Sequence, residues 1–228
     1  MLKRSLEQIL LVPREGRTAD RGLLVFLHGR SDDLDGPRGM WSDALARGLE
    51  RLGPAAPAVL LLNGGQSSYL HDRADGPWGR YVLREAIPDA VRRARTKPGR
   101  LAIGGISMGG FGALDLAASS AGRFCAVGGH SPAIFASGAV SAPGAFDDAD
   151  DFARHDVLAR ARQKDPYAGT PLWLDVGDED PFRATTEQLA ADLRRKVRVW
   201  PGEHDGECWH SHMDAYLRFY ARALAACR

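Results

Sequence analysis

The chain has 228 residues, 44% of them hydrophobic, and 30 Lys+Arg nearly cancel 29 Asp+Glu to a formal net charge of +1. That length suits one large domain or two small ones, with enough apolar residues for a substantial core. The balanced charge gives no footing for a nucleic-acid or acidic-membrane partner; Arg92, Arg93 and Arg95 read as a solvated helix face.

In chain order, the start "MLKRSLEQILLVPREG" has two basic residues but no sustained apolar stretch, so it makes a poor signal peptide. Six short apolar runs then end in Gly, Asn, Asp or Pro. They are "LLVFLHG" (23–29), "AVLLLNGG" (58–65), "RLAIGGIS" (100–107), "FCAVGGHSP" (124–132), "PLWLDVGD" (171–178) and "VRVWPG" (197–202). They are continuous rather than alternating, as strands buried on both faces are. Amphipathic stretches lie between them. "WSDALARGLERL" puts Leu45, Leu49 and Leu52 on one face, and "FRATTEQLAADLRRK" does the same with Leu189 and Leu193. "HMDAYLRFYARALAA" does so with Tyr216, Phe219, Tyr220 and Leu224. Pro88 marks a kink, or the first turn of a second helix.

Strand alternating with helix predicts an α/β fold, with a mostly parallel sheet covered by helices on both faces. No repeat or low-complexity linker divides the chain, so residues 1–228 read as one domain. Residues of about 133–169 are too long for an ordinary connection and read as a lid or binding insertion, or as a surface excursion with one or two helices. No apolar run approaches the ~18 residues of a membrane span. Cys125, Cys208 and Cys227 are odd in number and hold no CxxC pair, so neither a disulfide framework nor a zinc site is expected. Reduced thiols in a cytoplasmic protein are the simplest reading.

"GISMG" around Ser107 matches G-x-S-x-G. Alone the pattern is weak; its setting strengthens it, because an apolar strand precedes it and a helix-like "MGGFGALDLAA" follows. Gly105 and Gly109 leave room for strand and helix to approach, and the new helix aims its N-terminal amides at the turn. A serine hydroxyl needs a base, and the base needs a carboxylate to orient it, in the chain order Ser, Asp/Glu, His. His155, His204, His210 and His212 lie well downstream. His204, in the loop after "VRVW", is favoured. His155 lies in the insertion, and His210 and His212 fall at the start of the last helix. Among Asp175, Asp178, Glu179 and Asp180, the favoured acid is Asp180, with Asp178 next. Ser107, Asp180 and His204 each fall just past a strand's C-terminal end, the edge where open α/β sheets bind ligands. Backbone amides of Met108 and Arg30 are the expected oxyanion donors.

Trp78, Trp209, Tyr69 and His130 are tentative pocket residues. Each aromatic reads equally well as packing, and His130 reads more readily as a buried, hydrogen-bonded histidine; His71 in "SYLHDR" reads the same way. His204, Cys208, His210 and His212 match no standard zinc spacing. No metal or organic cofactor is expected, and nothing marks Cys208 as a rival nucleophile.

These residues resemble the esterase D-like branch of the α/β-hydrolases, with its S-formylglutathione hydrolases, feruloyl esterases, enterochelin esterases and mycolyltransferases. "GGISMGGFGAL" carries most of the likeness. "DGPWGRYVLREAIP", "DVGDEDPF" and "PGEHDGECWHSH" look like the segment before the nucleophile and the acid and histidine loops. The histidine loop departs in reading Gly-Glu-His where many relatives have Gly-Gly-His. The resemblance implies a serine esterase acting on a small ester or thioester, with Ser107 as nucleophile, Asp180 as acid, His204 as base, and Met108 and Arg30 as oxyanion donors. An acyltransferase with the same triad and an alcohol or amine acceptor is the alternative, as is a catalytically silent binding protein of this fold. The oligomeric state is not legible.

Overall fold

The computed structural model describes residues 2, 5–14, 21–30 and 43–227. The loop after Arg30 and the start of the helix expected from Trp41 lie outside them. The strands are β1 (Gln8–Leu11), β2 (Leu23–Leu27), β3 (Ala58–Leu62), β4 (Asp72–Arg73), β5 (Gly76–Pro77), β6 (Leu101–Ile106), β7 (Ala126–His130), β8 (Leu172–Gly177) and β9 (Val197–Trp200). The helices are α1 (Asp43–Leu52), α2 (Trp78–Tyr81), α3 (Ile87–Ala94), α4 (Met108–Ala118), α5 (Ala149–His155), α6 (Val157–Gln163), α7 (Arg183–Asp192) and α8 (Gly206–Ala226).

Seven strands form one sheet in the order β1-β3-β2-β6-β7-β8-β9. All neighbours are parallel except β1, which runs antiparallel to β3. Each of the six apolar runs supplies one parallel strand. Their continuity has a direct cause: Leu23, Val25 and Leu27 of β2 enter one core cluster, while Leu24 and Phe26 enter another on the opposite face. Successive side chains point to opposite faces, so a strand covered on both sides needs an apolar residue at every position. The edge strand β1 is only half-buried, and its four residues carry no pattern that separates them from a terminal stretch.

Pro88 falls at the start of α3, directly after a wider π-type turn at Val82–Ala86, and the helical run from Trp78 to Ala94 continues through it. The 133–169 segment folds as a 3-10 turn, α5 and α6. Asp148 and Asp156 cap the two helices by accepting from Asp151 N at 2.7 Å and Ala159 N at 2.9 Å. Ile134, Phe135, Ala145, Val157, Leu158 and Tyr167 are buried in the core shared with β2, β3 and β6.

The cysteine reading is corrected. Cys125, just before β7, is joined to Cys227, just after α8, across 102 residues with a Cα–Cα distance of 5.8 Å. Sequence separation hid the pair, which the fold brings together. Only Cys208 is a free thiol, and the cysteine argument for a reducing compartment falls away. Among the described residues no helix is long and apolar enough to cross a membrane.

Candidate active site

Ser107 sits between the end of β6 and the start of α4 with φ +54° and ψ −117°. A non-glycine residue there stores roughly 1–3 kcal/mol of strain and persists only where its surroundings over-determine it. They do here: Ser107 N donates to His130 O at 3.0 Å, and Ser107 O accepts from Phe111 N and Ala133 N, each at 3.0 Å. The flanking glycines make the turn possible. A Cβ on Gly105 would stand 2.5 Å from the carbonyl carbon of Gly109, and one on Gly109 would overlap the Leu27 carbonyl. Gly104 answers a different demand, because a Cβ there, or on Gly128, would overlap the Tyr220 hydroxyl.

The β8 and β9 loops bring two further groups to this turn. His204 Nε2 lies 2.9 Å from Ser107 Oγ, and His204 Nδ1 lies 2.7 Å from Asp180 Oδ2. The other Asp180 oxygen accepts from Phe182 N at 2.8 Å. Burial pushes the Asp180 carboxyl up. The bonds from His204 and the Phe182 amide outweigh it, with a small contribution from the Ser131 hydroxyl, which stands outside ordinary hydrogen-bond geometry, and the net shift is below the ordinary carboxylate value. The His204 ring meets Phe182 at 5.0 Å and Trp209 at 5.1 Å, both edge-on.

The remaining acidic residues have other partners. Asp175 is buried within β8 and takes four donors: His130 Nδ1 (2.6 Å) and Trp173 Nε1 (2.8 Å) on Oδ1, and Tyr216 OH (2.6 Å) and Trp200 Nε1 (3.1 Å) on Oδ2. Asp178 accepts from Gly202 N at 2.9 Å and so ties the acid loop to the histidine loop. Asp205 caps α8 through Cys208 N at 2.9 Å.

Of the four tentative pocket residues, Trp209 reaches His204. Tyr69 is buried against Phe111 and Phe135, with its hydroxyl within reach of the Arg30 side chain. Burial pushes its phenol above the ordinary value, against the pull of Arg30. Trp78 is buried, donates to Asp75 Oδ1 at 3.0 Å and fills the space that Gly65 leaves. His130 is fully buried, held between Asp175 and Tyr220 OH (2.8 Å), and presents its backbone to the serine turn. Burial, with the charge of Asp175 next, pushes the Cys208 thiol up to about 11 and so keeps it protonated. His212 stacks on Trp200 at 4.1 Å.

Four residues beside the site were given no role from the sequence. His28, buried after β2, accepts from Gly64 N at 2.9 Å and lies 2.6 Å from Gly29 O, which fixes the loop that leads to Arg30. Gly29 runs against the serine turn: a Cβ on it would stand 3.5 Å from Ser107 Cβ. Phe182 and Ser131 flank the acid; Phe182 lies in "DVGDEDPF" and Ser131 in "FCAVGGHSP".

A family model described as "Putative esterase" matches residues 75–220, more than half of the chain. The chain belongs to this esterase family. As a member it is a carboxylic ester hydrolase. The esterase also has the fold of solved structures with which it shares little sequence. A ferulic acid esterase superposes with a TM-score of 0.78 at 21% identity, covering 95% of this chain and 92% of that one. An S-formylglutathione hydrolase from Agrobacterium tumefaciens superposes at 0.75 and 19%, covering 98% and 91%. Est1E from Butyrivibrio proteoclasticus, solved with ferulic acid, superposes at 0.63 and 18%, covering 93% and 94%. The mostly parallel sheet with helices on both faces is thus the α/β-hydrolase fold.

Proposed function

We propose that this esterase cleaves ester or thioester bonds through an acyl-enzyme on Ser107, with His204 as base and Asp180 as orienting acid. The observation that carries the reading is the unbroken chain Asp180–His204–Ser107, at 2.7 and 2.9 Å. The Asp180 carboxylate takes the Nδ1 proton of His204 as a hydrogen bond, which leaves the Nε2 lone pair facing the serine hydroxyl. Ser107 Oγ attacks the carbonyl carbon and His204 takes its proton. The carbonyl oxygen becomes an oxyanion and accepts from the Met108 and Arg30 amides. Met108 opens α4, so its amide has no partner within the helix. On collapse the C–O or C–S bond breaks, and His204 gives its proton to the leaving group. Water, deprotonated by His204, then attacks the acyl-enzyme and frees the acid and Ser107. All these steps run on side chains and amides of the chain itself.

The test is active-site labelling. A fluorophosphonate should form one adduct, which peptide mapping places on Ser107, and Ser107→Ala should neither label nor hydrolyse aryl esters. An Ser107→Ala protein with wild-type turnover would overturn the reading.

A further inference from the structure

A second cluster lies away from the serine turn, where the 133–169 insertion meets the body of the domain. His71 comes from the loop after β3, and Asp151 and His155 lie four residues apart on one face of α5. The three are brought together by contacts that leave their inner atoms facing one another. His71 Nε2 bonds Ala145 O at 3.1 Å, and His155 Nδ1 bonds Asp115 Oδ2 at 2.9 Å. Both partners are acceptors, so both of those ring nitrogens carry the proton. In the neutral imidazoles that a metal requires, the other nitrogens, His71 Nδ1 and His155 Nε2, carry the lone pairs.

Both nitrogens lie near Asp151 Oδ1, at 3.7 Å for His71 Nδ1 and 3.8 Å for His155 Nε2, too long for hydrogen bonds, and the two rings lie face to face with centroids 4.2 Å apart. The His71 side chain is fully buried and its Nδ1 has no partner among the described residues. Asp151 is buried too. Its Oδ2 accepts from Asp147 N at 2.9 Å, and its Oδ1 accepts from Arg154 Nη2 at 3.2 Å. A divalent cation would give all three acceptors one positive centre.

We propose that His71 Nδ1, Asp151 Oδ1 and His155 Nε2 form a site for a divalent transition-metal ion of the zinc type, which pins α5 to the domain body. Two imidazoles and one carboxylate are a donor set for such an ion. Tetrahedral bonds of about 2.0–2.2 Å place ligand atoms about 3.4 Å apart; the two separations to Asp151 need close by only a few tenths of an ångström, all three atoms lie within 4.8 Å of one another, and the facing imidazoles turn to share the ion. The outer contacts fit as well: a carboxylate behind one histidine and a backbone carbonyl behind the other fix tautomer and ring orientation, as the supporting shell of metal-bound histidines does. Asp115 is itself held by Arg160 at 2.6 Å. The ion's role is structural; the ester chemistry proposed above does not pass through it.

The experiment uses the untagged full chain, stripped with a chelator and titrated with Zn2+ against a chromophoric competitor. One Zn2+ per chain should bind, and zinc at a hundred times Kd should raise Tm by roughly 5–10 °C. His155→Gln, whose side chain is only partly buried, should fold by circular dichroism and lose both the binding and the Tm shift. Asp115→Asn should weaken binding by roughly 10- to 100-fold. A His210→Ala/His212→Ala variant should bind as wild type. The proposal is overturned if the wild type takes up no zinc, or if folded His155→Gln keeps wild-type affinity.

Discussion

Asp180 holds His204 through Nδ1 at 2.7 Å, while Asp175, five residues earlier on the same strand-and-loop segment, holds His130 through Nδ1 at 2.6 Å. Two Asp–His pairs of nearly equal geometry therefore face different environments. One opens onto Ser107, and the other is sealed between the sheet and α8 by Tyr216 and Tyr220.

The two acids should separate by mutation. Asp180→Asn leaves the fold but disturbs the histidine tautomer, and kcat should fall by about 10^4. Asp175→Asn turns one oxygen into a donor that faces two donors, and it should cost about 3 kcal/mol of stability while the folded fraction keeps its kcat/KM. Denaturant titration beside steady-state kinetics reads both. Equal kinetic losses in the two variants would refute the assignment.

The depressed Asp180 carboxyl has a defined pH signature. A carboxylate whose folded value lies below the unfolded one adds stability that is complete above the unfolded value, near 3.8, and fades as pH falls through the folded value. The Tm gap between wild type and Asp180→Asn should be constant from pH 7 to about pH 5 and shrink below pH ~4. A gap that persists unchanged at pH 2.5 would contradict the pairing.

Gly109→Ala drives a methyl group into the Leu27 carbonyl, which is backbone and cannot swing away. A loss of about 3 kcal/mol or more and a collapse of activity are expected. Gly99→Ala meets nothing within 4 Å and should stay within about 0.5 kcal/mol of wild type. Thermal denaturation of the pair distinguishes steric need from a general preference for glycine.

Arg30 is assigned a role through its amide alone. Arg30→Ala should keep kcat within about tenfold, whereas Arg30→Pro removes the N–H and should lower kcat by about 10^2–10^3. The reverse order would move the function to the guanidinium.

The Cys125–Cys227 bond joins the approach to β7 to the end of α8. Reduction, or Cys227→Ser, should lower stability by about 2–4 kcal/mol with little change in turnover, because the bond lies at the strand ends opposite the site. Intact mass under non-reducing conditions should show one disulfide; three free thiols would rule it out.

The sequence by itself determined the sheet and the three loops of the site. Six apolar runs announce parallel strands because burial on both faces leaves no position for polar residues, and G-x-S-x-G announces the elbow because backbone contact permits nothing but glycine at 105 and 109. It favoured Asp180 over Asp178 as the acid without separating them by geometry, because residues in one loop share composition and position along the strand. Only the tertiary structure decided that Asp180 faces His204, that Asp175 and His130 are sealed in the core, that Trp78 bonds Asp75, and that Cys125 meets Cys227. The same holds for His71 with Asp151 and His155, which stand 80 residues and more apart in sequence. Local pattern records which face of an element is buried, and it carries no information about which distant side chain will stand opposite; that is fixed when the elements pack.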